Sequence, residues 1–438
     1  MGKNAIKKPE LLAPAGNLEK MKTAFAFGAD AVYLGIPDFS LRVRINDFTV
    51  NDIKKAISCA HKINKKVYVT VNIFARNKHL IKLPTYIKKL KILKPDGLFI
   101  SDPGIMKEIK KIWPKANIIL STQANCTNWQ AAKFWQNQGI SRIILARELA
   151  LTEIKEIKKK IPDLELECFV HGALCMAYSG RCFLSKLYNE REANLGDCSQ
   201  PCRWRYKMKN EKLKVKSNRS YIQAEPHEEI LELVEEGHGS YILNSKDLCL
   251  IKRLPELIDA GIDAFKIEGR AKSVYYLANV VGAYRKAIDL ITTNSEQRTA
   301  NTKKQLGFLY NELEQKLYHR GFTEGFMFNK GEQAQNLKNS HNIPKWEFCG
   351  QAMHLNLQMI CKSTNKVCVK VHNTMKAGDR IEILRPDYDI IKMKIKEMRH
   401  AKTGEIINEA HGGAGGDVVL IEVDKEVPEY SVIRRVIK

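Results

Sequence analysis

ELLAPAGNLEKMKTAFAFGADAVYLGI, residues 10–36, reads as a strand, a helix and a second strand with very little chain between them. ELLAPA (10–15) and AVYLGI (31–36) are near-continuous apolar runs, the pattern of strands buried on both faces of a parallel sheet. Between them Leu18, Met21, Ala24 and Phe25 fall on one helical face, with Asn17 placed to cap the helix and Gly28 to stop it. The unit repeats. Further strands are predicted at KVYVTVN (66–72), GLFIS (97–101), NIILST (117–122), RIILAR (142–147), LECFVHG (166–172) and AFKIEG (264–269). Eight apolar strands alternating with amphipathic stretches predict an α/β fold, a closed (β/α)8 TIM-like barrel rather than an open doubly wound sheet. Chemistry in such a barrel sits on the loops after the strands. Those loops are PAGN (14–17), NDF (46–48), STQAN (121–125), AREL (146–149) and EGR (268–270).

The rhythm breaks after the seventh strand. Residues of about 173–250 form an insertion too long for a simple connection, rich in Cys, Gly and Tyr at first and acidic later. EPHEEILELVEEGHG (225–239) is expected to be a solvated helix over the barrel mouth. TTNSEQRTANTKKQ (292–305) is expected to be a surface connection or a frayed helix end. The barrel with its insertion is assigned to residues 1–330, a linker to 331–345, and a small C-terminal β-barrel domain to 346–438. In that last part MICKS, KVCVKVH, DRIEIL, IIKMKIKEM, DVVLIEV and SVIRRVIK show period-two patterning between Gly and Asp turns.

The 438 residues are 44% hydrophobic, which supports a sizeable core and argues against general disorder. No run of eighteen apolar residues and no signal-like apolar segment behind the lysine-rich start is present, so a cytoplasmic protein is expected. The net charge of +23, from 72 Lys and Arg against 49 Asp and Glu, creates a field that attracts polyanions, RNA first among them. Eleven cysteines in a reducing compartment are not read as disulfides. Cys59, Cys126, Cys349, Cys361 and Cys368 stand singly in apolar runs and read as core fillers, as does Cys168 inside its strand.

Cys175, Cys182, Cys198, Cys202 and Cys249 are different, because they crowd into and just behind the insertion. Thiolates gathered in one region of a cytosolic chain point to a metal or an iron–sulfur centre. Their spacing lacks the paired Cys-x-x-Cys knuckles of structural zinc and suits a bulkier cluster at least as well.

The run ECFVHGALCMAYSGRCFLS, residues 167–185, resembles the signature of the peptidase U-32 family, the collagenase-like peptidases. Glu167, Phe169, Gly172, Ala173, Leu174, Cys175, Gly180, Cys182, Leu184 and Ser185 all stand where that pattern wants them. The resemblance continues through LLAPAGN, GADAVYLG, STQAN, NSKDLC, FKIEGR and RGFTEGF, almost the whole chain. It implies a hydroxylase carrying a [4Fe–4S] cluster, despite the family's historical label. The length with one C-terminal β domain is similar to the branch that hydroxylates the wobble uridine of tRNA at carbon 5, with prephenate as the linked small anionic metabolite. By the same resemblance Cys175, Cys182 and Cys198 match cluster ligands, and the fourth is Cys249, with Cys202 as the alternative.

Other candidates follow from position. His171, at the end of strand seven, is placed to donate a proton or orient a ligand, or else to bond a neighbouring strand. Lys266 and Glu268 alternate onto one face and are expected to pair, with Arg270 as a carboxylate clamp. A purely structural ion pair inside the barrel is the competing reading. Arg42, Arg44 and Asn46 after strand two, Gln123 and Asn125 after strand five, and Arg147 and Glu148 after strand six are candidate substrate contacts. Tyr178, Trp204 and Tyr206 beside Arg203 and Arg205 suit stacking on an unpaired base, or packing around the cysteine loop. Two other functions compete with tRNA hydroxylation. Proteolysis has no His-Glu-x-x-His or Gly-x-Ser-x-Gly to support it. A non-catalytic RNA-binding protein with a structural metal would not need polar groups recurring at the strand ends.

Overall fold

The computed structural model describes residues 7–36, 38–40, 48–175, 177–178, 181–182, 184–195, 197–204, 206–209, 220–224, 230–233, 245–293, 300–328, 341–342, 344–353, 366–413 and 415–437. Eight parallel strands form the barrel: β1 Glu10–Pro14, β2 Ala31–Leu34, β3 Lys66–Val71, β4 Gly97–Ile100, β5 Ile118–Leu120, β6 Arg142–Ile144, β7 Glu165–Gly172 and β8 Ala264–Ile267. Each pairs with the next, and β8 pairs with both β7 and β1, which closes the wall. The predicted barrel and all eight predicted strands are present. Asn17 accepts from the Lys20 amide as N-cap of the helix Leu18–Ala26, and Gly28 follows that helix at φ +94°. Apolar side chains facing outward pack under the helices, the long helix Val274–Thr293 among them. Inward-facing Leu12, Ala31, Tyr33, Tyr68, Phe99, Ile119, Ile144 and Phe169 fill the lumen.

One irregularity controls the barrel's upper rim. Lys266 is opposite Phe169 but Ile267 is opposite His171, so Val170 is an extra residue in β7. Its carbonyl accepts from the Leu250 amide and the Tyr284 hydroxyl instead of serving the β7–β8 ladder. The short strand Asp247–Cys249 then adds antiparallel to the end of β7, and Phe322–Thr323 adds parallel to that.

Within the insertion, Tyr206–Lys209, Ser220–Ala224 and Ile230–Leu233 form a three-stranded antiparallel sheet. This corrects the expected acidic helix at 225–239 for the part described: in ILEL the glutamate alternates with apolar residues, and a paired strand satisfies the backbone. The expected connection at 292–305 is partly helical too, since the helix Ala300–Lys316 begins inside it.

The C-terminal part is an eight-stranded antiparallel sheet, curled around its own apolar core. The order is 390–394, 380–384, 432–436, 346–352, 366–371, 418–422, 398–400 and 406–407. The strand Trp346–Ala352 opens the stretch expected to change to period two, and MICKS lies outside the described residues. A buried ionic knot joins this sheet to the barrel. Arg434, with no exposed surface, donates to Glu382 at 3.0 Å, to Asn279 at 2.8 Å and to Glu312 at 2.5 Å. Lys316 pairs with the same Glu382 at 2.9 Å and lies over the Trp346 ring. No helix among the described residues is long and apolar enough to cross a membrane.

Candidate functional site

The lumen carries charge as well as aromatic rings. Near the bottom Arg142 meets Glu10 at 2.7 Å and Glu165 at 2.8 Å, and the Tyr68 hydroxyl donates to Glu10. One turn higher, fully buried Glu167 accepts from Arg142 at 3.2 Å and from Lys266 at 3.1 Å. Lys266 lies 3.8 Å from the Phe99 ring centre and 4.2 Å from that of Tyr33. Burial pushes its pKa down to about 8, with Glu167 opposing the shift. The partner of Lys266 is therefore Glu167, not Glu268 as expected. Glu268 is half-buried at the end of β8, where its carbonyl accepts from the Tyr276 hydroxyl. Sequence position could have found Glu10, Arg142 and Glu167, since each is a charged residue at a lumen-facing place in an otherwise apolar strand.

Above this pair the rim is polar. Arg270, nine-tenths buried, donates to Ser40 at 2.7 Å and Thr70 at 3.4 Å. Gly16 of PAGN lies so close to the Arg270 carbonyl that a Cβ there would come to 2.4 Å, which explains why this loop and EGR belong together. Asn72 donates to Ser121, and the neighbouring Gln123 presents an Oε1 that is buried without a hydrogen-bond partner. Asn125 adopts the left-handed conformation that ends its short 3-10 turn. Arg147 donates to the Ala173 carbonyl at 3.1 Å and covers Phe169, while Glu148 beside it is half-exposed. Arg42, Arg44 and Asn46 lie outside the described residues, as does the side chain of Arg203.

The cysteine loop leaves β7 and crosses this rim. Cys175 is exposed and Cys182, Cys198 and Cys202 are half-buried. Burial raises the Cys182 thiol pKa, and Cys198 and Cys175 add to the shift. The frame is a short helix, Leu184–Asn189, and a turn, Pro201–Arg203, held by Ser185 to Ser199 and Arg191 to Asp197. Tyr188 and Trp204 pack ring to ring, whereas Tyr178 is 54% exposed. On the far side Glu192 pairs with Arg76 and Arg181 covers Phe74, both partners in the loop after β3. Strands three and seven stand opposite each other in an eight-stranded ring. The insertion therefore bridges the mouth.

Two expected site residues are elsewhere. His171 should face the lumen by simple alternation, but the extra residue at Val170 reverses it. Its ring sits outside the wall among Tyr276, Tyr284 and Phe322, and burial pushes its pKa down to about 3. Cys249 is directly opposite His171 in the ladder and shares its outward side. Burial pushes its thiol up to about 12 beneath the Tyr284 hydroxyl.

Among the described residues no three His, Cys, Asp or Glu side chains converge tightly enough to hold a single metal ion. The donor set on the loop is all sulfur, soft and spread over three segments, which fits a polynuclear iron centre better than one hard cation.

Two family descriptions match this chain: peptidase family U32 over residues 16–337 and the peptidase family U32 C-terminal domain over 345–434. It is 38% identical to tRNA hydroxylation protein P of Haemophilus influenzae, covering 98% of this chain and 96% of that one. It is 35% identical to tRNA hydroxylation protein P1 of Bacillus subtilis, covering 99% and 96%. A 23S rRNA 5-hydroxycytidine synthase of Escherichia coli is 33% identical over 73% of this chain and 45% of its own length. With matches running through both the barrel and the C-terminal sheet, the chain belongs to peptidase family U32.

Proposed function

We propose that this protein is an RNA-modifying hydroxylase that acts on the wobble uridine of tRNA at carbon 5, with an iron–sulfur cluster on the cysteine loop. The observation that supports it is similarity end to end to tRNA hydroxylation proteins, in a chain whose cysteine-bearing insertion crosses the barrel mouth. Cys175, Cys182 and Cys198 would hold the cluster. Cys202 is the better fourth ligand, because it lies half-buried on the same loop while Cys249 faces away.

Replacing C5–H by C5–OH, with oxygen at the oxidation level of water, releases two electrons and two protons. An iron–sulfur cluster held by these cysteines would supply one-electron redox chemistry, with an external electron acceptor taking up the two electrons. The chain's own residues do the rest. Tyr178 offers an exposed ring for the extruded base to stack on. Arg270, held by Ser40 and Thr70, faces the rim as a fixed guanidinium for a carboxylate such as that of prephenate. The insertion across the mouth encloses the site around the reacting carbon, and the net charge of +23 draws the RNA in.

Mass spectrometry of tRNA nucleosides from a strain lacking the gene is the test. Loss of 5-hydroxyuridine and its derivatives, restored by the intact gene, is the expected result. An unchanged nucleoside profile would rule the assignment out.

A further inference from the structure

The insertion loop starts at Gly172, and the next three residues lead directly to Cys175. Both carbonyls on that path are held by arginines. Arg147 donates to Ala173 O at 3.1 Å, and Arg320 donates through Nη2 to Leu174 O at 3.4 Å. Arg320 is itself fixed by Asp247, with Nε at 2.9 Å and Nη2 at 2.5 Å from one carboxylate oxygen and its backbone amide at 3.3 Å from the other. Asp247 is 7% and Arg320 5% exposed. The two come from the NSKDLC and RGFTEGF segments, far apart in sequence, and neither has a place in the function described above. Burying an ion pair costs desolvation that its attraction only about repays, so such a pair is poor evidence for stability alone. Here the guanidinium also grips the backbone immediately before a sulfur ligand.

We infer that Asp247 and Arg320, with Arg147, are positioning residues that set the direction of the Cys175 thiol over the barrel mouth. The inference rests on the cysteine loop being the working site, and it concerns how that loop is aimed. Asp247 orients Arg320, Arg320 and Arg147 fix two successive carbonyls, and the chain leaves the wall at a single angle. Without the clamp the Ala173–Leu174 segment rotates, and Cys175 parts from Cys182 and Cys198.

The test uses the full chain with Arg320→Ala, Asp247→Asn and the milder Arg147→Gln, which alters only a half-buried side chain. Lys316→Met serves as control, since it breaks a buried ion pair, with Glu382, that touches neither the Ala173 nor the Leu174 carbonyl. Two quantities are read: iron and acid-labile sulfide per chain after anaerobic purification, and the rate at which iodoacetamide alkylates Cys175 in iron-free protein, followed by peptide mass spectrometry. Groups that orient metal ligands typically change metal affinity by about 10–100-fold when removed. A loss of iron of about tenfold is therefore expected in Arg320→Ala and Asp247→Asn, with a smaller loss in Arg147→Gln. The Cys175 alkylation rate should shift in all three and stay native in Lys316→Met, and Arg320→Lys should restore neither quantity fully because one ammonium cannot serve both partners. Native alkylation rates in the three variants, or the same shift in the control, would overturn the inference. If the native protein bound no iron, the cluster reading would fail while the alkylation rates still decided the clamp.

Discussion

Replacing Arg434 by Met tests whether the barrel and the C-terminal sheet are one mechanical body. The guanidinium has no exposed surface and makes three close hydrogen bonds, to Glu382, Asn279 and Glu312. Charged hydrogen bonds contribute roughly 1.5–3 kcal/mol each, but summing three overcounts, because removing the arginine also relieves its own desolvation. Breaking a buried pair from one side costs about 3–5 kcal/mol, and Lys316 remains to neutralise Glu382, so about 4 kcal/mol is the expected loss. Unfolding entropy is about 2.1 cal/mol/K per residue, which gives about 0.9 kcal/mol/K for all 438 residues and a drop in Tm of about 4 °C. If residues 346–438 melted alone, the same loss would move their transition by about 20 °C. Differential scanning calorimetry separates these cases. The double variant Arg434→Met with Glu312→Gln should regain part of the loss, since Glu312 loses its closest cation in the single variant. A single Arg434→Met change worth less than about 1 kcal/mol would show that the knot contributes little and refute the reasoning.

Other consequences can be measured separately. Lys266 is held at about 8 against an ordinary 10.5, so between those pH values the unfolded chain keeps a proton that the folded chain has lost. Native stability relative to Lys266→Met should therefore be flat below pH 8 and rise by about 2 kcal/mol from pH 8 to 9.5, read from urea midpoints; a constant difference would contradict the depressed value. Ser at Cys175, Cys182, Cys198 or Cys202 should cut iron content to less than half, whereas Cys249→Ser should retain it; the reverse order would return the fourth position to Cys249. Tyr178→Ala should weaken binding of a tRNA anticodon stem-loop by about 1–3 kcal/mol, with little effect on melting temperature, in a fluorescence titration at fixed salt.

The barrel was legible because strand period and helix caps are local. Eight apolar runs and a residue such as Asn17 carry their meaning within a few neighbours. The cysteine loop was legible because its sulfurs are chemically unusual wherever they fold. What escaped were pairings between distant segments. Glu167 with Lys266, and Asp247 with Arg320, are each decided by which strand ends beside which, and no window of sequence contains both members. His171 was misplaced for a related reason. Alternation is a parity argument, and one uncounted residue at Val170 inverts every prediction beyond it. The acidic stretch misled because ILEL carries too few residues to tell a two-residue period from a helical one.

That uncounted residue also dictates which changes of chain length the protein tolerates. Most connections here lie at the surface, where a residue gained or lost is absorbed by slack. Shortening the seventh strand by one would instead turn the imidazole of position 171 into a lumen already filled by rings and charges. It would also withdraw the carbonyl to which Leu250 and Tyr284 are fastened. The strand holding Asp247 would lose its mooring, and with it the anchor of the cysteine loop. A single-codon deletion at Val170 should therefore be as harmful as loss of a cysteine, although the residue touches no substrate and bears no reactive group.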